Sequence, residues 1–423
     1  MTFSLLLIFL NLSGIGNIKR VDDYKKRLNM KYIRKNIDFF FMAALGALII
    51  STVIYFNVSN DFGAHRSILE HKLNDDSFPV PPLYYALLYI LSFGLASGKI
   101  IFLAIVFLAG MFIGLKYLVT RYMVGQIALP GANTPGIELF GKFKTDTIIR
   151  VLTFCLMIVT PLSFGKYLYL GKIGINVWHN STIIAEFPFA LMLFMCSGRY
   201  LQKRESIRPF NLLLLTCMVI LIKPSYFLAF AVAFPLMNLA INYADMKRIK
   251  IDLPVILTVF SGLLLLTLLY VKIYGPIVPN TVLATSQGSK LIIAPFRAWQ
   301  IYSQNIPFDL LMSIFYPFTF LVAYWREVKK DLGYLYAVLT FCIGVLIAIF
   351  FFESGLRDFH GNYFWTAIIT NYILFLYSAS LNLRLVLIRS RFLLKDYLLL
   401  GVFGAHLISG LFYIVNLYMR KSF

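Results

Sequence analysis

The side chains best suited to chemistry lie in a polar stretch, residues 57–93, between two long apolar segments. Asp61 and His65 are four positions apart, so a helix that starts near Asp61 would place both on one face. A carboxylate beside an imidazole can act as a general base or as a metal ligand. A structural role is equally open, because either Asp61 or Asn60 could cap that helix. Asp61 and His65 are therefore the candidate catalytic residues.

Two later polar segments carry further candidates, GKIGINVWHNST at residues 171–182 and FFESGLRDFHGNYFW at residues 351–365. Loops collect polar residues in any protein, yet three such loops on one side of a membrane favour a shared site. Only one of the five histidines, His406, falls in a predicted span. The candidate substrate-binding residues in the three segments are Glu70 and Tyr84 from the first, and Trp178, His179, Asn180, Glu353, Arg357 and His360 from the two later ones.

Lys223 is a further candidate, because it is the only charged residue of the apolar run at positions 212–234. An ammonium at membrane depth is costly, so it should face a cavity, a partner or the interface. Pro224 interrupts the helix beside it and leaves backbone groups to be satisfied. Lys223 could extend to the outer headgroups, or it could bind an anionic headgroup such as a lipid phosphate.

The composition defines the class of protein that holds these residues. The 423-residue chain is 60% apolar and 14% charged, and several of its apolar runs approach the length of a membrane-crossing helix. Continuous rather than alternating runs exclude a β-barrel and predict an all-α, polytopic helical bundle. The net charge of +20 is better explained by lysines and arginines at the cytoplasmic ends of spans than by nucleic acid. The four cysteines lie in apolar runs without metal-ligand spacing.

The distribution of basic residues predicts the topology. Residues 1–36 form a basic cytoplasmic segment, and residues 37–423 form one transmembrane domain whose first external loop spans 58–99. Residues 83–96 are interpreted as an amphipathic or re-entrant helix at the outer surface, because a span there would place the basic segments 121–150 and 199–208 outside. The domain has about eleven spans in all. The third of them covers residues 148–169 and is followed by an outer loop at 170–181.

This order of elements resembles the GT-C superfamily of membrane glycosyltransferases, which use polyprenyl-phosphate sugars. The resemblance covers roughly residues 37–119: a basic start, a first span, Asp61 just outside it, an amphipathic helix, and Pro81-Pro82-Leu83-Tyr84-Tyr85 before the second span. Residues 178–180 and 223–225 look like signatures of bacterial surface-polysaccharide members. The chain departs from the family in lacking a second acid beside Asp61 and a large domain after the last helix.

The resemblance implies an inverting transferase in the bacterial inner (plasma) membrane, with its active site on the extracytoplasmic face. A polyprenyl-phosphate sugar would be the donor, and a glycan or lipid-linked molecule the acceptor. Asp61 would be the catalytic base, while Lys223, Arg357 and His179 would stabilise the phosphate. A divalent cation such as Mg²⁺ or Mn²⁺ is left open.

Other functions are weighed against this one. An O-antigen-type polymerase would be expected to use arginines in larger external loops, and few are present. A lipid-linked oligosaccharide transporter or flippase would need polar residues at mid-membrane, where Lys223 is the main example. A nucleotide-driven pump is disfavoured, because the chain has no glycine-rich phosphate loop.

Overall fold

The computed structural model describes residues 37–56, 60–74, 79–129, 145–163, 171–202, 208–244, 252–274, 290–355 and 361–420. Within these ranges the protein is a bundle of helices with one two-stranded sheet, which confirms the all-α polytopic class. The basic segment 1–36 lies outside the described residues, as do the candidates Arg357 and His360.

The first half of the chain forms α1 (Ile37–Tyr55), α2 (Phe62–Asn74), α3 (Pro82–Leu91), α4 (Gly98–Ala128), α5 (Thr145–Ile158), α6 (Ser181–Gln202), α7 (Pro209–Ile222) and α8 (Ser225–Ala244). The second half forms α9 (Leu253–Tyr274), β1 (Lys290–Ile293), α10 (Arg297–Tyr302), α11 (Ile306–Ala323), α12 (Trp325–Val328), α13 (Leu332–Phe350), β2 (Phe351–Ser354), α14 (Phe364–Arg389) and α15 (Leu394–Arg420).

Nine helices in the described part of the chain are long and apolar enough to cross a bilayer: α1, α4, α6, α8, α9, α11, α13, α14 and α15. The protein is therefore a multi-pass membrane protein. Helices α5 and α7 have 14 residues each, fewer than the ~20 that a bilayer core requires. Helices α2 and α3 are shorter still and precede α4.

Helix α6 is the centre of the bundle, and nearly all of its residues are buried. Helices α4, α7, α8, α13 and α14 pack around it. Apolar side chains on every face, such as Ile183, Leu191 and Phe194, suit a helix that is surrounded by others. The two ends of α6 therefore fix the positions of the loops that meet there.

Small residues bring α1 and α4 close together in antiparallel orientation. A Cβ at Gly110 would lie 2.6 Å from the Ala43 carbonyl oxygen, and one at Gly114 would lie 2.9 Å from the Phe39 ring. Gly110 and Gly114 have the spacing that allows close contact of membrane helices. Because α1 ends shortly before Asp61, this contact helps to set the position of the candidate base.

The two ends of the bundle differ in charge. At the start of α1, Asp38 accepts from Arg121 at 2.7 Å, and Arg121 also reaches Asp146 at 2.6 Å. Arg150 bonds to Asp146 at 2.7 Å. We call this the basic end. The opposite end, which carries Asp61 and the first residues of α6, α8 and α14, is the site end.

Three predicted segments differ in extent from the observed ones. The predicted surface helix 83–96 is observed as α3, which ends at Leu91. The predicted span 148–169 is helical only to Ile158, and Thr160 then packs against α15, where the His406 ring nitrogen Nδ1 donates to its carbonyl oxygen at 2.7 Å. The predicted external loop 170–181 is almost wholly buried from residue 171 onward.

An asparagine and a lysine hold this buried segment in place. Asn176 donates from Nδ2 to the carbonyl oxygens of Leu156 and Val159, at 3.0 and 2.8 Å, where α5 ends. Its Oδ1 accepts from Lys116 Nζ at 2.7 Å. Backbone groups that would otherwise lack partners at the end of α5 are thereby satisfied, and the segment can pass inside the bundle.

The two strands form an antiparallel pair that sequence reasoning missed. Lys290 lies opposite Ser354, and Ile293 lies opposite Phe351. Strand β2 continues directly from α13 and carries Glu353 to the site end.

Candidate functional site

Asp61 joins the first polar segment to the start of the central helix. Its Oδ1 accepts the Ser181 N–H at 2.9 Å, and its own N–H donates to the His179 carbonyl oxygen at 3.1 Å. The cap of α2 is Asn60, whose Oδ1 accepts the Phe62 N–H at 3.0 Å. Asp61 therefore does not cap its own helix; it binds the first N–H of α6 instead.

His65 connects Asp61 to a tyrosine. Its Nε2 lies 3.1 Å from Asp61 Oδ2, and its Nδ1 lies 2.6 Å from the Tyr85 hydroxyl. In the neutral tautomer with the proton on Nε2, the ring donates to the carboxylate and accepts from the phenol. The predicted Asp61–His65 pair is thus observed, and Tyr85 extends it. Tyr84 packs edge-on against the His65 ring, 5.4 Å away.

The environment sets the protonation of these groups. Burial alone would raise the pKa of Asp61, but the attraction and hydrogen bond of His65, the charge of Lys223 and the Ser181 N–H outweigh it, so this pKa lies below its ordinary value. Burial raises the pKa of Tyr85 well above its ordinary value. At neutral pH, Asp61 is therefore ionised and Tyr85 is protonated.

His179 differs from its predicted role as a cation. Burial, together with the nearby Lys223 charge, lowers its pKa to about 4 despite the attraction of Asp61. The ring is therefore neutral near pH 7 and can offer a hydrogen bond rather than a positive charge. It packs against the Trp365 ring at 5.7 Å.

Lys223 lies at the break between α7 and α8, beside Pro224. Its Nζ donates to Thr182 Oγ1 at 3.2 Å and lies 5.3 Å from the centre of the Trp365 ring. Three carboxylates attract it: Asp61, Glu186 and Glu353. The structure therefore brings the predicted cation to the same end of α6 as the predicted base.

Glu186 is a member of this group that sequence reasoning missed. It lies one turn after Thr182 on α6, is completely buried, and accepts the Tyr226 N–H at 2.6 Å through Oε1. A signal was present, because Glu186 is the only acid between Asp146 and Glu205 and lies in an apolar run. Ionisable residues within a membrane segment are rare and often functional.

Glu353 joins the group from strand β2. Its carboxylate accepts from Asn362 Nδ2, and only 7% of the residue is exposed. Asn362 lies just before α14, the helix that carries Trp365. The third polar segment thus contributes to the site through Glu353, as predicted, and also through Trp365, which was not predicted.

Three other candidates have different surroundings. Glu70 pairs with Arg66 at 3.7 Å, beside the start of α4. Trp178 is buried against a small cavity next to Lys116. Asn180 caps α6, since its Oδ1 accepts the Ile183 N–H at 2.9 Å. Their observed contacts are structural.

Among the described residues, no three histidine, cysteine, aspartate or glutamate side chains lie close enough to hold a metal ion. At the site end, three carboxylates (Asp61, Glu186 and Glu353) instead form a charged group with one lysine, Lys223, which they attract. Such a group can move a proton at Asp61 and attract an anion at Lys223.

No protein-family model matches the chain, and no curated protein matches it significantly. Its function is therefore inferred from the arrangement of these side chains.

Proposed function

We propose that the protein is a membrane glycosyltransferase of the GT-C type, which moves a sugar from a polyprenyl-phosphate carrier to a surface-glycan or lipid-linked acceptor. The observation that carries the proposal is the meeting of Asp61, His65 and Lys223 at the start of α6. An ionised base and a cation close together are what transfer from a phosphate leaving group requires.

In the proposed reaction, Asp61 accepts the proton of the acceptor hydroxyl as that oxygen attacks the sugar carbon. The bond between that carbon and the phosphate oxygen breaks, the polyprenyl phosphate leaves with the electron pair, and attack from the opposite side inverts the configuration at the carbon. His65, held by Tyr85, orients the carboxylate through its Nε2–H. The Ser181 N–H holds the other carboxylate oxygen, so the side chain is fixed in place.

Lys223 is proposed to bind the donor phosphate. It lies at the end of the apolar helix α7, where the headgroup of a lipid would lie if its tail ran along the helix. Trp365 and Thr182 hold the ammonium in place, and α6, α8 and α14 all begin nearby. Helix N-termini favour negative charge, so they add to the attraction of the lysine.

The proposed topology has eleven spans, formed by the nine long helices together with α5 and α7. The site end then faces the extracytoplasmic side of a bacterial plasma membrane. Support comes from the basic end, where Arg121, Arg150, Arg199 and Arg389 lie, since such residues collect on the cytoplasmic side.

Sugar transfer by membranes that carry the wild-type chain or Asp61→Asn tests the proposal. The membranes are supplied with a panel of polyprenyl-phosphate sugars and lipid-linked acceptors. Loss of the base is expected to lower the transfer rate about 10²–10⁴-fold. The asparagine can still accept the Ser181 N–H, so the variant should be expressed at the wild-type level.

Asp309→Asn serves as the control, because Asp309 is a buried acid that pairs with Lys172 at 3.1 Å and is not in contact with Asp61. Equal transfer by wild type and Asp61→Asn would contradict the role of Asp61.

Transport is the second candidate, and one observation favours it. Lys116 and Glu186 are ionisable side chains inside the bundle, where a transported molecule would pass. Movement of a fluorescent lipid-linked oligosaccharide across proteoliposomes, without transfer activity, would support this alternative.

A further inference from the structure

Among the described residues, Lys223 is the one cation that all three site carboxylates attract. An anionic ligand that binds to Lys223 is therefore repelled by three negative charges. Asp61, Glu186 and Glu353 all attract the same ammonium. With every group ionised, the cluster carries more negative than positive charge before any ligand binds. A phosphate that approached Lys223 would meet this excess in a poorly hydrated site.

We propose that binding of a phosphate-bearing ligand at Lys223 takes up one proton, and that Glu186 receives it. The inference rests on the proposed function, because it assumes that the ligand of Lys223 is a phosphate. The proton comes from bulk water and adds to a carboxylate oxygen of Glu186. No other bond is formed or broken.

The geometry places Glu186 one helical turn from Thr182, the residue that binds the ammonium. Thr182 and Glu186 are four residues apart on α6, so they share one face. Thr182 Oγ1 accepts from Lys223 Nζ at 3.2 Å, and Glu186 Oε1 accepts the Tyr226 N–H at 2.6 Å. Both contacts reach the α7–α8 connection, so Lys223 is the nearest compensating charge for Glu186.

The other two carboxylates are better stabilised as anions. Asp61 has a quarter of its side chain exposed, and it binds both His65 and the Ser181 N–H. Glu353 accepts from the Asn362 amide. Glu186 is completely buried, with one backbone N–H and the Ser225 hydroxyl beside it. A buried charge that loses its partner is the most costly to keep.

Among the described residues, Lys223 is the only cation whose charge acts on Glu186. The titratable groups from the helices packed against α6 are Lys223 between α7 and α8, Tyr226 of α8, Tyr336 of α13, Tyr372 of α14, and Lys116 of α4. Lys116 donates to Asn176 and lies against the rings of Phe187 and Tyr372, at 3.7 and 3.9 Å.

The test measures binding of a dialkyl phosphodiester to the detergent-solubilised full chain by calorimetry. A diester carries one negative charge at all moderate pH values, so any dependence on pH belongs to the protein. Titration in buffers with different ionisation enthalpies gives the number of protons taken up. We expect about one proton at alkaline pH, and a dissociation constant that rises about tenfold per pH unit there.

Glu186→Gln copies the protonated state and retains an oxygen to accept the Tyr226 N–H. This variant is expected to bind the diester without proton uptake, with an affinity that no longer changes with pH. Glu353→Gln is the matched control, because it removes a different acid near the same lysine, and it should keep the wild-type proton uptake. Lys223→Met should abolish binding in either background.

Each outcome has a separate meaning. Proton uptake that persists in Glu186→Gln would overturn the assignment to Glu186. Sugar transfer by a wild-type protein that binds the diester without proton uptake would overturn the inference and leave the proposed function standing. Failure of the diester to bind at all would contradict both the inference and the proposed donor site.

Discussion

At the scale of single residues, the site shows how a partly buried carboxylate stays charged. Asp61 accepts hydrogen bonds from His65 and from the Ser181 N–H, and the basic side chains of His65 and Lys223 lie nearby. Together these groups lower the pKa of Asp61 by more than its removal from water raises it. In the neutral His65 tautomer that carries its proton on Nε2, the His65 N–H and the Tyr85 hydroxyl both have an acceptor. Asp61 therefore stays ionised across the neutral range, as the proposed role of a base requires.

This environment predicts how the rate of the proposed sugar transfer depends on pH. The pKa of Asp61 is lower in the folded protein than in the unfolded chain. The ionised carboxylate, and the stability that it contributes, are therefore present above about pH 4 and are lost as the pH falls further. Since His65 is the strongest of the groups that lower this pKa, His65→Ala should move the acid limb of the rate profile upward, toward or above about pH 4.

His71→Ala is the control, because His71 is an exposed histidine on the same helix. Its acid limb should coincide with that of the wild type. An unchanged limb in His65→Ala would show that another group controls the rate at low pH.

Residue types revealed part of the site in advance. Asp61, His65 and Lys223 could be predicted because each is a polar group next to a long apolar run, where burial has to be explained. Their convergence could not be derived from the sequence, because Asp61 meets Ser181 across 120 positions. Glu186 was not predicted, because it lies within an apolar span and not in one of the polar segments.

At the scale of elements, chain-breaking residues explain where the predicted helices were too long. Helix α3 ends before Phe93 and Gly94, which both have positive φ values, and a glycine in this conformation commonly ends a helix. Helix α5 ends shortly before Pro161, and a proline disfavours helical geometry in the residue that precedes it. Both signals were visible in the sequence. The inward course of residues 171–180 was not, because it depends on Asn176 meeting Lys116.

The contact between α1 and α4 gives a prediction about stability. An alanine at Gly110 would place its Cβ 2.6 Å from the Ala43 carbonyl oxygen, so the helices would have to separate. Gly110→Ala should lower the free energy of unfolding by about 1–3 kcal/mol, as overpacking does. Thermal denaturation in detergent measures this change.

Gly404→Ala is the matched control, because a Cβ there meets no described atom within 4 Å. Alanine favours a helix over glycine by about 0.5–1 kcal/mol, so this variant should be as stable as the wild type or more so. Equal melting temperatures for the two variants would contradict the close packing of α1 and α4.

At the scale of the whole molecule, charge separates the two ends of the bundle. The basic end holds arginines that are paired with acids on neighbouring helices, as Arg121 is with Asp38 and Arg389 is with Asp396. The site end holds three acids that share Lys223. The sequence analysis likewise predicted that lysines and arginines collect on one side of the membrane and the candidate site residues on the other.

Single cysteines at the two ends test the proposed orientation. Lys290 is exposed at the start of β1 near the site end, and Lys330 is exposed after α12 at the basic end. In a chain whose native cysteines are replaced, Lys290→Cys should react with a membrane-impermeant thiol reagent on intact cells. Lys330→Cys should react only after the cells are opened. The reverse pattern would place Asp61 on the cytoplasmic side. The native cysteines are Cys155, Cys196, Cys217 and Cys342.

The double link between Asp61 and the start of α6 has a consequence for biosynthesis. Asp61 leaves the ribosome early, yet both its main-chain and its side-chain partners, His179 and Ser181, are made about 120 residues later. Until the central helix has been inserted, the carboxylate has neither of these contacts. In a nascent or truncated chain that lacks the central helix, nothing from α6 therefore holds the Asp61 carboxylate in its folded position.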